Sequence, residues 1–335
     1  METHPAPVQM VQLLAGFQIS QALYVAAKIG VADHLADGPV AVDSLAAKLN
    51  ADPVALSRLL RTLASLGVFS ETAPGVFGST PLGNTLASDQ PGSMRDLALM
   101  WMETHYAPFA SLLHTVRGGE PAATHHFGEP YFSWLATQPE QIDRFSRAMA
   151  NLTDGIKTGA VASYDFSDAG TIVDVGAADG ALLATVLASA PNTTGIAFDL
   201  PHVVVAASAK MASYGLGARL TSAGGDFFKA VPSGADTYFL SMVLHDWNDS
   251  DAARILANIR AAASPGARIL AFELVMPTGD TPHMSKMIDL TMLAMLNGRE
   301  RTDLEMRTLF EGAGFIYEGV TPTPTPISIV AARVP

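Results

Sequence analysis

The chain has 335 residues, no cysteine and a formal net charge of −12, with 49% hydrophobic and 16% charged residues. That composition sustains a large core, excludes extended disorder, disulfides and thiolate metal sites, and argues against a nucleic-acid surface as the protein's main business. No basic segment precedes an apolar one at the start, and no uninterrupted apolar run reaches the ~18 residues of a bilayer span, so the expectation is a cytoplasmic protein without membrane contact.

Residues 8 to 37 read as a helix or helix pair whose apolar positions (Val11, Leu14, Phe17, Leu23, Val25, Ile29, Leu35) fall on more than one face. A helix apolar all round needs cover, and a partner subunit is the expected cover. A helix from Val42 to Leu49, capped by Asp43 or Ser44, and a second from Val54 to Leu66, opened by Asp52-Pro53, follow. Gly67 stops the second, and residues 68–71 and 75–79 make a hairpin, which completes the outline of a winged helix-turn-helix. Arg58 and Arg61 lack the wider basic surface of a groove reader, so the expectation is dimerisation and no nucleic-acid partner. Residues 91–160 are mostly helical and rich in aromatics and methionine, a composition that suits a core at least as well as a pocket.

From about residue 156 strands and helices alternate, with strands at 171–175, 194–199, 236–241 and 267–273 and a last pair near 315–320 and 327–333. This is an α/β pattern with a mostly parallel sheet. Its first unit, Thr171-Ile-Val-Asp-Val-Gly-Ala-Ala-Asp-Gly180, is a strand broken by a loop of small residues before a helical run. Gly176 admits close approach of a ligand, and the helix start after Gly180 offers amides to an anion. The dinucleotide pattern G-x-G-x-x-G is absent, while Asp199 ends the next strand where a carboxylate suits a ribose diol. Gly224-Gly-Asp-Phe-Phe228 brings a carboxylate and an aromatic face to another strand end, and Ser241-Met-Val-Leu-His-Asp-Trp247 follows the strand after it.

Asp-Val-Gly-x-x-x-Gly, Phe-Asp-Leu-Pro-His-Val-Val, Gly-Gly-Asp-Phe-Phe and Leu-His-Asp-Trp, in this order, resemble the small-molecule O-methyltransferases that use S-adenosylmethionine. Members include the plant caffeate and flavonoid and the bacterial polyketide-tailoring enzymes, and the likeness spans almost the whole chain. It implies a Rossmann-like class I methyltransferase domain over residues 161–335, a winged-helix dimerisation domain over 1–95, and a helical acceptor-pocket region over 96–160. It further implies that Asp174, Gly176, Gly180 and Leu200 surround the cofactor, that Asp199 takes the ribose hydroxyls, and that Gly225, Asp226 and Phe227 take the adenine. Ser241 stands where plant relatives often carry a lysine beside the adenine, which weakens that match.

By the same resemblance His245 is the general base, with Glu273 and Glu300 as the flanking carboxylates. Methyl transfer from a sulfonium is an in-line displacement, so the acceptor oxygen must be aligned and lose its proton. General-base help is worth roughly 10²–10⁴-fold in rate. Phe145, Met149, Met242, Met292 and Met295 are the acceptor-pocket candidates, and Met284, Met287, Met292 and Met295 share roughly one helical face. No metal is expected: His125-His126 has no partner at ligand spacing, and the proposed site has no carboxylate cluster for Mg²⁺. The expected reaction is O-methylation of a phenolic hydroxyl on an aromatic secondary metabolite by a homodimer. Its rivals are N-methylation of a heteroaromatic ring, cofactor binding without transfer, and a winged-helix regulator.

Overall fold

A computed structural model of the chain describes residues 5–88 and 90–335. They form two compact units: one runs through Ala110 and includes Phe132–Thr153, the other comprises Ser111–Tyr131 and Asp154–Pro335.

The first unit opens with helices Ala6–Leu14, Gly16–Lys28 and Val31–His34. None of the first helix's residues is buried, and Val8, Met10, Val11, Leu13, Leu14 and Phe17 are all exposed. Taken together, Ala6–Lys28 is long and apolar enough to cross a membrane by length and composition. The sequence test for an uninterrupted apolar run misses it, because Gln9, Gln12, Gln18 and Gln21 interrupt the run without adding charge. Behind it lie helices Val42–Leu49 and Pro53–Ser65 and a small sheet of β1 (Val40–Ala41), β2 (Phe69–Ala73) and β3 (Val76–Ser79), in the order β1-β3-β2. Leu45, Leu56, Leu60, Leu63, Phe69 and Phe77 fill the space between them. Asp52 caps the second helix by accepting the Ala55 N–H at 2.7 Å. The first has no side-chain cap: its N-cap is Ala41 rather than Asp43 or Ser44, and the Val42 N–H donates to the Gly75 carbonyl.

The second unit holds a seven-stranded sheet of β4 (Thr171–Val175), β5 (Thr194–Asp199), β6 (Leu220–Gly224), β7 (Thr237–Ser241), β8 (Arg268–Glu273), β9 (Ile316–Pro322) and β10 (Ser328–Arg333). The order is β6-β5-β4-β7-β8-β10-β9; the first five of these are mutually parallel and β10 runs antiparallel to both neighbours. The family resemblance correctly implies the fold. The edge strand β6, which the sequence marks only by its end at Gly224, is the one given no range, because its Leu-Thr-Ser-Ala-Gly carries little β-branched or apolar character and stays partly exposed.

Central strands are buried on both faces, as a parallel sheet covered by helices requires. Val173, Val175, Tyr238, Leu240 and Ile269 face one core with Ile255, Leu256 and Ile259, while Ile172, Phe239, Leu270 and Phe272 face the other with Leu183, Val186 and Leu187. Chain order reverses between β4 and β7, a switch point of the kind beside which ligands bind at the carboxyl ends of the strands. The loops after β4, β5, β6, β7 and β8 all open at that edge.

Candidate functional site

After β4 the backbone turns left-handed at Gly176 (φ 80), Ala178 (φ 49) and Gly180 (φ 74). Gly176 is required there, since a Cβ would lie 2.8 Å from Val243 Cγ2 and 4.0 Å from the Phe227 ring. The loop is tied to the end of β5: Gly176 and Ala177 donate to the Phe198 carbonyl, and the Ala178 N–H donates to Asp199 Oδ2 at 2.8 Å. Asp199 Oδ1 accepts the Leu200 N–H at 2.7 Å, so each carboxylate oxygen keeps a lone pair. The first amide of the following helix is not open to a ligand anion, because Asp179 Oδ1 accepts the Ala181 N–H at 3.1 Å. Gly225 donates to the Asp199 carbonyl at 2.9 Å, and a Cβ there would strike the Phe198 ring at 2.5 Å. Asp226 accepts the Phe228 N–H at 2.9 Å and pairs with Lys229 at 3.4 Å. Phe227 stands edge-on to Phe228 and Trp247, and its carbonyl accepts from Asn258.

Two buried polar atoms in β4 and β7, Asp174 Oδ1 and Ser241 Oγ, have no hydrogen-bond partner. Burial, moderated by the charge of Lys157 and augmented by Asp199 and Asp179, pushes the Asp174 carboxyl up to about 6. Orphaned polar atoms at the carboxyl edge of a sheet are what a polar ligand would satisfy.

β7 ends in a left-handed residue, Met242 (φ 54), whose N–H donates to the Phe272 carbonyl at 3.0 Å. This bend starts the short turn Leu244–Asp246 and carries His245 into a buried position. His245 Nδ1 is 2.8 Å from Glu300 Oε1, while Nε2 is 3.4 Å from Asp246 Oδ1. Glu273 does not hydrogen-bond the ring. Its Oε1 accepts the Val243 and Leu244 amides at 3.3 and 3.0 Å, so it holds the turn and acts on the ring through charge. Burial lowers the imidazole's proton affinity, but the charges of Asp246, Glu300 and Glu273, with the Glu300 hydrogen bond, outweigh it and push His245 up to about 10. Burial likewise raises Glu273 to about 7 and pushes Asp246 up.

Among the pocket candidates, Phe145 and Met149 pack in the first unit with Leu97, Met100 and Ala148. Met242 packs in the second with Met284 and Ile288; Met292 and Met295 are buried in the same unit. Met287 does not share their face: it is 69% exposed.

Residues 109–316 match the model of the O-methyltransferase domain, and residues 11–89 match that of the O-methyltransferase dimerisation domain. The chain belongs to the O-methyltransferase family. It is 46% identical over 324 residues to a phenazine O-methyltransferase of Lysobacter antibioticus, covering 97% of this chain and 95% of that one. It is 37% identical to the O-demethylpuromycin-O-methyltransferase of Streptomyces alboniger, over 98% of this chain and 89% of the other. The crystal structure of LaPhzM superposes with a TM-score of 0.93 at 45% identity, over 99% of this chain and all (100%) of that one.

In this methyltransferase two charged residues beside His245, Asp246 within the Leu-His-Asp-Trp motif and Arg301 outside it, are given no role by the motifs. Asp246 is half-buried beside Nε2, and Arg301, fully buried, reaches the turn's backbone. The signal available for both was proximity in sequence to His245 and Glu300, which says nothing of where a side chain points. His245, Glu273 and Glu300 offer donor atoms within 4.8 Å of one another, a set that by distance alone admits a divalent cation. Nδ1 and Glu300 Oε1 satisfy each other and Glu273 Oε1 holds two amides, while the buried Oε2 of Glu273 and of Glu300 have no hydrogen-bond partner. The fold also gathers His114, Glu120 and His125, which the sequence did not connect. The two imidazoles stack at 4.0 Å, with in-plane lone pairs side by side rather than converging, and His114 pairs directly with Glu120 at 2.7 Å.

Proposed function

We propose that this O-methyltransferase moves the methyl group of S-adenosylmethionine to a phenolic hydroxyl of a fused aromatic ring system, phenazine-like in size, and works as a homodimer with His245 as general base. The observation that carries the reading is the His245–Glu300 pair: Nδ1 is fixed by a buried carboxylate at 2.8 Å, which leaves Nε2 as the atom able to take a proton. The phenazine-like acceptor rests on the relative at 46% identity.

When bound, S-adenosylmethionine would supply an electrophilic methyl carbon, with its thioether as the leaving group. Around it, Asp199 has one free lone pair on each oxygen for the ribose hydroxyls, and the Gly176 loop is tied to the same strand end through the Phe198 carbonyl. Asp174 and Ser241 bring buried polar atoms in need of partners. Gly180, Leu200, Gly225 and Asp226 complete the cofactor loops, while Met242, Met292 and Met295 are assigned to the acceptor. His245 takes the hydroxyl proton at Nε2, and Asp246, Glu273 and Glu300 stabilise the resulting imidazolium. The exposed apolar helix Ala6–Leu14 is assigned to the subunit interface.

Labelled cofactor incubated with hydroxyphenazines, single-ring phenols and aminophenazines tests the reading. Hydroxyl acceptors should be turned over, and His245→Ala should cut kcat on them by roughly 10²–10⁴ with little change in cofactor affinity. Wild-type turnover by the alanine variant, or methylation of the amines alone, would refute it in favour of nitrogen transfer.

A further inference from the structure

The turn that carries His245 is a single 3-10 turn, Leu244–Asp246, and nearly every main-chain group in it is engaged. Its amides at Val243 and Leu244 donate to Glu273 from one side. Its carbonyls are taken from the other side by the segment Gly298–Thr302. The Arg299 N–H donates to the His245 carbonyl at 2.8 Å. The Arg301 guanidinium donates from Nη1 to the Leu244 carbonyl at 2.8 Å and from Nη2 to the Trp247 carbonyl at 2.9 Å. Arg301 is itself aimed by Asp249, whose Oδ1 accepts from Nε at 3.0 Å and from Nη2 at 2.8 Å. Two consecutive residues thus grip one turn: Glu300 holds the imidazole and Arg301 holds the backbone on either side of it.

We propose that Arg301 is a positioning residue for methyl transfer, its guanidinium bridging the Leu244 and Trp247 carbonyls so that His245 Nε2 is presented at a fixed place to the acceptor hydroxyl. A fully buried guanidinium is a poor choice for stability alone, since a buried charge pair is often matched or bettered by apolar packing. Its planar fork, with donors on three nitrogens, does what an apolar side chain cannot: it fixes two carbonyls and a carboxylate in one geometry. Lysine carries a single nitrogen and cannot span the three acceptors at once. Gly298 allows the close seating of this segment, because a Cβ there would lie 1.9 Å from the His245 carbonyl oxygen. Arg301 touches neither the imidazole nor the acceptor, so its effect runs through His245, and the inference rests on His245 being the base.

The test compares Arg301→Lys, Arg301→Met and Asp249→Ala with His245→Ala in the full-length protein. Asp249, with its side chain 62% exposed, can be replaced without opening the core. Thermal midpoint, affinity for S-adenosylhomocysteine, kcat, acceptor KM and the kcat–pH profile are measured for each. Arg301→Lys should lower kcat by about 10- to 100-fold, the scale expected of a misplaced catalytic group, with homocysteine-product affinity within about twofold of wild type and a displaced pH limb. Arg301→Met should lose more, so that lysine rescues in part, and Asp249→Ala should lose less in the same sense. If the methionine variant does not fold, the other two still decide. Wild-type kcat and pH limb in folded Arg301→Lys and Asp249→Ala, beside a crippled His245→Ala, would overturn the positioning role alone. An active His245→Ala would instead overturn the base assignment on which it stands.

Discussion

Replacing Asp199 should separate the ribose contacts from the folding of the loop that makes them. In the ligand-free protein both oxygens already accept a backbone amide, from Ala178 at 2.8 Å and Leu200 at 2.7 Å, and each has one lone pair left. Two charge-assisted bonds to ribose hydroxyls at about 1.5–3 kcal/mol each give about 3–6 kcal/mol, so Asp199→Ala should weaken cofactor binding by roughly 10²–10⁴-fold. Asp199→Asn keeps one acceptor oxygen and the shape but loses the charge, and should cost about one to two factors of ten. The freed amides are exposed, water can replace the carboxylate there, and the thermal midpoint without ligand should change little. Calorimetry with S-adenosylhomocysteine is the assay of choice, because its uncharged sulfur removes any long-range effect of the carboxylate on the sulfonium. Binding of the alanine variant within twofold of wild type would refute the ribose assignment. A large loss of affinity matched by an equal loss of ligand-free stability would place Asp199 in the loop's folding instead.

Glu300→Gln removes one of the charges that raise His245, so the ascending limb of kcat/KM, which needs neutral imidazole, should move to lower pH; an unmoved limb would separate Glu300 from the base. Because the folded pKa of His245 is raised, its stabilising contribution is complete below the ordinary value of about 6.5 and lost as pH rises through about 10. The stability deficit of the glutamine variant should therefore fade over that window in denaturant titrations. Chelation by EDTA should leave turnover unchanged, and loss of activity restored by Mg²⁺ or Zn²⁺ would put a metal among His245, Glu273 and Glu300. Sedimentation of the 35.1 kDa chain at micromolar concentration should give a dimer that Leu13→Glu with Leu14→Glu weakens, and a stable wild-type monomer would contradict the interface assigned to the first helix.

Much of the fold is legible because it is written in local periodicity. β-branched runs such as Ile172-Val-Asp-Val175, stops at Gly67 and Pro265-Gly266, and the alternation after residue 156 specify strands and helices without tertiary information. What local pattern cannot give is contact over distance. His245 and Glu300 lie 55 positions apart and meet only because β7 and β8 are parallel neighbours whose following loops share an edge. Family resemblance pairs them and sets both glutamates beside the ring, but it does not say that Glu273, within 4.8 Å of the imidazole, takes its hydrogen bonds from the turn. The same gap hides Asp246 and Arg301, because charge is visible in a sequence and side-chain direction is not. Edge and end effects account for the rest: β6 has only Thr221 as a β-branched residue, and the Val42–Leu49 helix starts on a backbone contact instead of a side-chain cap.

A base surrounded by three carboxylates poses an electrostatic problem, and its resolution predicts an observable. Asp246, Glu300 and Glu273 raise His245 above the ordinary imidazole range, so in the ligand-free protein they favour the protonated ring over the neutral one that would accept a proton. The same carboxylates are useful once the proton arrives, since they favour the charged product of the transfer. What must change beforehand is the local charge. A sulfonium bound close to the protonated ring would add a like charge, and like charges favour the neutral ring. Binding of S-adenosylmethionine should therefore release a fraction of a proton near pH 8, whereas S-adenosylhomocysteine, with no charge on sulfur, should release less. Calorimetry in two buffers of different ionisation enthalpy reads the difference directly, and His245→Ala should abolish it. Equal proton release by both ligands would mean that the sulfonium does not act on His245, and the neutral base would then have to arise when the acceptor binds.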